Sequence, residues 1–542
     1  MSTPPRTPQA GAPAPASAIT SHPMIGVIGV LFGAMISTCQ GRLLSVGLAD
    51  LRGAMHLGVD EASWMGTAFN TATMFIGPFS VYLGGLLGPR RVLLWSAVTF
   101  TILTLLLPFS HSLSLTLTLL VLAGLTVGTF YPLTLSFVLR SLPTRYILLG
   151  IAMYAIDIVF TTNMATALEA WFMDNLSWRW IFWSSTAATP VMILLLHFGM
   201  PHQPLPKPEP GKPPISWRGF LYASIGAALI YVGLDQGQRL DWFHSGVIDA
   251  YFITGLFLVT VAVVRHFSLP NPMVHFQFLR RRNTLLLSLV LVSFRFVMLA
   301  TVVSIPNFLG TIHGYLPLQT GNVLLWVAVP QFVLGLVAMG LMRLIDPRLI
   351  LTAGFALVAC ACVFNMQLSS VWSGETFLTS QIVLAIGLPM AFNAMVGSLV
   401  LELINTGALK RPIDTLTFAG FFQTVRLMGG EIGSVCMVRF IAVREQFHSN
   451  ILGLNVSLGN SITMQHLLGL RAAMIPHDSG LATGRAGELL AQEVKQQAYT
   501  LAIADSFHLI AASCVLCLIV VACMAKVPMQ YRKIIAADAK AA

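Results

Sequence analysis

Eight ionisable side chains stand inside stretches that are otherwise apolar enough to cross a bilayer: Arg42, Asp157, Glu169, Arg295, Glu402, Arg426, Glu431 and Arg439. A charge placed in hydrocarbon costs about 2.5–3.5 kcal/mol on insertion scales, so each needs a partner or a wet cavity. A carboxyl in such a place can gain or lose a proton whenever its surroundings open to water, and a buried guanidinium can hold an anion. Glu402 and Arg439 lie near the ends of their stretches and can reach the interface by snorkelling. Glu169 is also near an end, whereas Arg42, Asp157 and Arg295 are deep.

Arg426 and Glu431 share one stretch, "FFQTVRLMGGEIGSVCMVRFIAV" (421–443). Five residues apart on a helix they point about 140° from one another. They are not i, i+4 neighbours, so each calls for a partner on another helix. Glu431 follows Gly430 and precedes Gly433, where helix backbones can approach closely. Neutral polar residues at mid-stretch are Gln40, Asn70, Asn163, Gln331, Asn393 and Gln423. Cavity lining and interhelical hydrogen bonds are both open readings for them.

The elements that must position these side chains are membrane helices. The 542 residues are 56% hydrophobic and only 10% charged, with a mean hydropathy of +0.78, against about 25% charged in a soluble protein. A ruler of about 20 apolar residues per span finds fourteen stretches: 24–47, 62–85, 92–110, 114–139, 147–170, 179–199, 217–236, 246–266, 285–309, 319–341, 348–368, 376–400, 417–442 and 501–525. The net charge of +10 sits in short basic clusters between these stretches. That is a topology signal, and it excludes the basic, aromatic-laced face of a nucleic-acid binder. With the N-terminus inside, the cytoplasmic side collects about twenty of the 31 basic residues and the other side about seven. The positive-inside rule therefore places both termini in the cytoplasm.

Residues 1–23, rich in Pro, Ala and Ser, read as a disordered tail without a signal peptide. The long segment 443–500 falls outside the cell, and within it Leu489, Leu490, Val494 and Ala498 have helical spacing. A short amphipathic helix is expected there, with an accessory protein, such as a periplasmic membrane-fusion adaptor, as a candidate occupant. The seven cysteines lie in apolar runs and read as packing, Cys514-x-x-Cys517 included. The 13 histidines form no metal-ligand pattern, so no metal or cofactor is expected. No nucleophile–base set near a membrane face suggests an enzyme.

"GPRRVLL" (88–94) follows the second stretch and "DPRLIL" (346–351) follows the tenth. Each turn is the second connection of a six-span set, so Gly88, Arg90 and Arg91 pair with Asp346 and Arg348 as a repeated conformational loop. The implied division is a bundle at 24–199, a linker and inserted helix pair at 200–266, a second bundle at 267–528 and a tail at 529–542. Parallel six-span halves place a substrate path between them.

At this point the chain resembles the fourteen-span drug:proton antiporters of the major facilitator superfamily, EmrB/QacA type. "GLDQGQRLDWF" (233–243), "NPMVHFQFLRRRN" (271–283) and "VRLMGGEIGSV" (425–435) carry the resemblance, which covers about 25–528. It implies an all-α membrane protein with the major-facilitator fold: fourteen transmembrane helices in two six-helix bundles plus the inserted pair. Five places depart from the family pattern. Gly85 replaces the acid before the first Pro-Arg turn, and Leu120 and Ala123 replace polar members of the fourth-span motif. "MATALEAW" (164–171) replaces the fifth-span Pro-Gly motif, and "QGRLLSVGLA" (40–49) supplies Gln40 and Arg42 in the first span. Glu431 itself stands where the family has a small polar residue, while Arg426 matches the pattern.

The expectation is proton-coupled export of hydrophobic or amphipathic compounds across the cytoplasmic membrane by alternating access, with Glu431, Asp157, Arg42, Arg426, Arg295 and Glu169 as the intramembrane charges. The alternative is a carrier for a defined anionic metabolite or siderophore, favoured if the three arginines line the cavity. A non-transporting sensor or scaffold is the remote third reading.

Overall fold

The computed structural model describes residues 23–201, 217–268, 281–407, 409, 412–474, 481–527 and 530–535. The N-terminal tail up to residue 22, Lys207, Lys212, most of the 271–283 motif, residues 410–411 and the tail beyond 535 lie outside them.

The described residues form helices and no strand. The first eight are α1 (Pro23–Val46), α2 (Leu48–Ala54), α3 (Val59–Leu87), α4 (Pro89–Leu106), α5 (Leu113–Val127), α6 (Phe130–Ser141), α7 (Thr144–Asn175) and α8 (Trp180–Gly199). A pair follows, α9 (Trp217–Gly237) and α10 (Gly246–Ser268). Next come α11 (Arg282–Val297), α12 (Ile305–His313), α13 (Pro317–Ala328), α14 (Gln331–Leu344), α15 (Pro347–Asn365) and α16 (Leu378–Asn405). The last are α17 (Pro412–Asn455), α18 (Ser461–Met474) and α19 (Ala482–Ala522). Three spans are broken in the middle: α5 runs into α6, α11 into α12 through a π-helical turn at Ala300–Ser304, and α13 into α14.

Twelve of these helical segments are long and apolar enough to cross a membrane. The two long helices that fall short are α3, with 29 residues, and α17, with 44. Both pack in the middle of the molecule, α17 against α3, α6, α9, α11 and α19. Their polar residues line a cavity or meet neighbouring helices, as Asn70, Arg426 and Glu431 do on the cavity, Thr67 with α9 and Arg444 with α19, so hydropathy alone under-rates them.

Helix association in a bilayer depends on close packing, because lipid tails are as apolar as the side chains. The α1–α8 crossing shows it: a Cβ on Gly199 would fall 2.1 Å from the backbone nitrogen of Gly26. Proline inside a span leaves the carbonyl four residues earlier without its donor. Pro389 on α16 frees Ala385 in this way, and Gln331 donates Nε2 to that carbonyl at 3.2 Å. Pro306 on α12 frees Val302, whose carbonyl accepts from Arg42 Nη2 at 3.4 Å.

The two Pro-Arg turns make the same tether. Gly88 ends α3 at φ 82°, a left-handed value that favours glycine, and Pro89 opens α4. Arg90 then donates to the carbonyl of His197 near the end of α8 at 2.9 Å. Arg348 donates to the carbonyl of Met524, just past α19, at 2.9 Å. Arg90 thus joins α4 to the end of α8, and Arg348 joins α15 to the end of α19. Arg91 is exposed. Asp346 caps α15 and accepts from Arg348 and from Gln530 Nε2 at 3.0 Å.

Segment 443–500 differs from the expected loop with one short helix. No glycine or proline interrupts 434–452, so α17 continues past the bilayer to Asn455, and α19 begins at Ala482. With α18 packed on α19, the segment is mostly helical projection. Asp505 clamps the base, accepting from Arg444 Nε at 2.6 Å and pairing with His448 Nε2 at 2.7 Å.

Candidate functional site

Four of the eight intramembrane charges converge on one cavity of about 210 Å³. Arg42 reaches it from α1, Asn70 from α3, Thr162 from α7, Tyr231 from α9, Arg295 from α11, and Arg426 and Glu431 from α17. Phe69, Met298, Leu299, Val302 and Leu427 supply apolar wall. Three guanidinium groups and one carboxyl therefore face a space with both greasy and polar lining.

Each arginine is held differently. Arg426 lies over the Tyr131 ring, 3.8 Å from its centre, and its Nε donates to Gln423 Oε1 at 3.1 Å. Arg42 hangs on the carbonyl that Pro306 leaves free. Arg295 rests against α17 where Gly430 has no side chain: a Cβ there would be 3.0 Å from its Nη2. Among the described residues the buried Nε atoms of Arg42 and Arg295 have no hydrogen-bond partner.

The acids separate into three places. Glu431 is half-buried on the cavity wall beside Tyr231 of α9, and the Asp235 carboxylate of the same helix acts on it electrostatically. Asp157 is buried behind the wall, accepts from Thr161 at 3.1 Å and is electrostatically paired with Arg426. Glu169 is fully buried beside Asp50 and Asp174 near the end of α7, away from the cavity lining.

Among the neutral polar residues Asn70 lines the cavity and Gln423 stands behind it as the acceptor for Arg426. The other four are placed within helix packing, because each answers a local hydrogen-bonding need. Gln40 accepts from Ser185 of α8 at 2.6 Å, and Gln331 serves the Ala385 carbonyl. Asn163 and Asn393 donate to carbonyls one turn back on their own helices. Glu402 is likewise a fastening, taking Asn283 Nδ2 at 2.6 Å, while Arg439 is exposed.

Sequence reasoning passed over Asp235, Tyr231 and Tyr131. Asp235 sat at the edge of the expected seventh span, inside a motif valued for its family pattern. The tyrosines carry no formal charge, yet Tyr131 is fully buried, its ring centre 4.7 Å from that of Tyr154 and tilted by 48° to it. Among the described residues no cluster of His, Cys, Asp or Glu has the makings of a metal site.

Comparison with known proteins agrees with this architecture. The Major Facilitator Superfamily model matches residues 30–434. The multidrug export protein EmrB of Haemophilus influenzae is 22% identical over 488 residues, covering 87% of this chain and 89% of that protein. The probable multidrug resistance protein EmrY of Escherichia coli is 21% identical over 438 residues, covering 78% and 81%. The crystal structure of the human organic anion transporter MFSD10 (TETRAN) superposes with a TM-score of 0.52 at 12% identity, over 91% of this chain and 99% of that one. The protein is an all-α, multi-pass membrane transporter that acts on small molecules within the bilayer, and the chain belongs to the Major Facilitator Superfamily.

Proposed function

We propose that the protein exports hydrophobic or amphipathic compounds across the cytoplasmic membrane by alternating access, driven by proton antiport. The observation that carries this reading is Glu431: a carboxyl on the wall of an internal cavity, at the junction of α17 with α3, α9 and α11. A group so placed exchanges protons with whichever side the cavity opens to. The named export function of the EmrB and EmrY relatives supports the direction and the substrate class. Counting α3 and α17 as spans gives fourteen, as two six-helix bundles at 24–199 and 267–528 with the pair α9–α10 between them. The basic clusters then place both termini in the cytoplasm. The projection from α17 through α18 to α19 faces the other side, where it offers a surface to a membrane-fusion adaptor.

The test is transport in proteoliposomes under an imposed pH gradient, with ethidium as a cationic probe and carboxyfluorescein as an anionic one. Wild-type protein accumulates a probe and Glu431→Gln loses the gradient-driven part. Equal transport by the Gln variant would remove Glu431 from coupling. No movement of either probe by wild-type protein would favour a sensor or scaffold.

A second reading, a carrier for a defined anion, is favoured by the three arginines that line the cavity. Under it, Arg42→Gln and Arg295→Gln abolish carboxyfluorescein transport and spare ethidium. Loss of both probes together would tie these arginines to structure or coupling.

A further inference from the structure

Asp235 lies one turn beyond Tyr231 on the same face of α9, and that face meets both α3 and α17. Its carboxyl accepts from Thr67 Oγ1 of α3 and from Gln236 Nε2 at 3.3 Å, and it acts electrostatically on Glu431 across the α9–α17 contact, where Tyr231 and Glu431 line one cavity. Two carboxylates facing one contact repel, and a proton on one of them relieves that repulsion.

We propose that Asp235 and Glu431 form a single shared proton site, built by one helix of the inserted pair and one helix of the cavity wall. This rests on the proton-antiport reading above. A polar seam leads from the site to the surface. Gln236 Nε2 donates to Thr67 Oγ1, Arg239 Nε donates to Gln236 Oε1 at 2.6 Å, and Arg239 Nη1 meets Asp60 Oδ1 at 2.8 Å. The Asp60 side chain is 80% exposed at the start of α3, on the side where α1 and α9 end. The seam is a route for water rather than a relay through Arg239, which keeps its proton.

The charged and titratable groups around the pair are Tyr231 on α9, Arg295 on α11, Arg42 on α1, Arg426 on α17 and Arg239 at the rim. The step is simple in its balance. A proton from water forms an O–H bond with one carboxylate of the pair, and the same bond breaks to water when the cavity opens to the other side. With the proton bound, the two acids hold α9 against α17. Without it, two negative charges face each other across that contact and loosen it. The inserted pair α9–α10 thereby takes part in the transport cycle instead of filling space beside it.

Infrared pH titration of the purified full-length protein in detergent, combined with ethidium transport, tests this. A titrating carboxylic C=O band is expected in wild-type protein, and its midpoint should fall in both Asp235→Asn and Glu431→Gln, because the remaining carboxyl no longer faces a second acid. Asp235→Asn should lower gradient-driven ethidium accumulation about tenfold or more while leaving gradient-free ethidium exchange in place. A band that survives Asp235→Asn with its midpoint unmoved, or gradient-driven accumulation at the wild-type rate, overturns the proposal. Should Asp235→Asn fail to fold, Thr67→Val keeps both acids and removes a donor to one. A moved midpoint then supports the shared site and an unmoved one overturns it. If wild-type protein moves no ethidium under any gradient, the antiport reading falls, while the infrared titration still decides whether the two acids share a proton.

Discussion

The guanidinium of Arg426 on α17 lies flat enough over Tyr131 of α6 to bring its central carbon 3.8 Å from the ring centre. The pair is buried, 5% exposed on the arginine side and 0% on the tyrosine side. A desolvated cation–π contact is worth about 2 kcal/mol, so the ring, more than its hydroxyl, keeps the charge at the wall. Tyr131→Phe is expected to leave thermal unfolding in detergent nearly unchanged, whereas Tyr131→Leu lowers stability by about 2 kcal/mol. Equal losses in both variants would show that the hydroxyl, which has no hydrogen-bond partner by geometry, matters after all.

Asp346 lies outside the spans and its titration gives a signed prediction. Burial works to raise its pKa, but the side-chain and backbone hydrogen bonds of Arg348 outweigh it and hold the carboxyl below its ordinary value. A depressed folded-state pKa means stability that is complete above the ordinary value of about 3.9 and is lost as pH falls through the folded one. Wild-type protein should therefore lose melting temperature below about pH 4, and Asp346→Asn should start lower at neutral pH and lose less on acidification. Parallel melting curves for the two proteins across that window would contradict this assignment.

The α1–α8 crossing leaves no room for a methyl group. A Cβ on Gly199 would sit 2.1 Å from Gly26 N and 2.4 Å from its Cα, both rigid backbone atoms. Gly199→Ala should destabilise by about 1–3 kcal/mol or more through overpacking, visible as reduced monodisperse yield and a lower melting temperature. Gly219→Ala, where a Cβ meets nothing within 4 Å, is the matched control and should behave as wild type.

Gln331 exists to serve the carbonyl that Pro389 leaves open, so the two should be coupled. Gln331→Leu in the native background is expected to cost about 1 kcal/mol, in the range for interhelical hydrogen bonds in membranes. In a Pro389→Ala background the restored backbone N–H satisfies Ala385 and the loss should shrink. A double-mutant cycle by thermal unfolding measures this, and additive effects would assign Gln331 to its second acceptor, the Val327 carbonyl at 2.9 Å.

By itself the sequence determined the helical, membrane-spanning class and where the apolar core of each long helix lies, because hydropathy and the 3.6-residue period are local properties. That α17 runs on to Asn455 and that α19 starts at Ala482 was not read from it. It also marked Arg42, Arg295, Arg426 and Glu431 as anomalies, because charge in an apolar run needs no partner to be noticed. Their meeting place was not local. Arg42 touches the carbonyl of Val302, 260 residues away, and the direction a cavity-lining helix faces is set by packing among helices far apart in the chain. The same reason separates the neutral polar residues. Nothing within "VAVPQFVLG" (327–335) says that Gln331 faces Pro389 of α16, and nothing within "STCQGR" (37–42) says that Gln40 turns to Ser185. Asp235, at the edge of its span in sequence, could pass for a residue near water. Only the seating of α9 between α3 and α17 brought it beside Glu431, because proximity between two acids is a property of the assembled helices and not of either one.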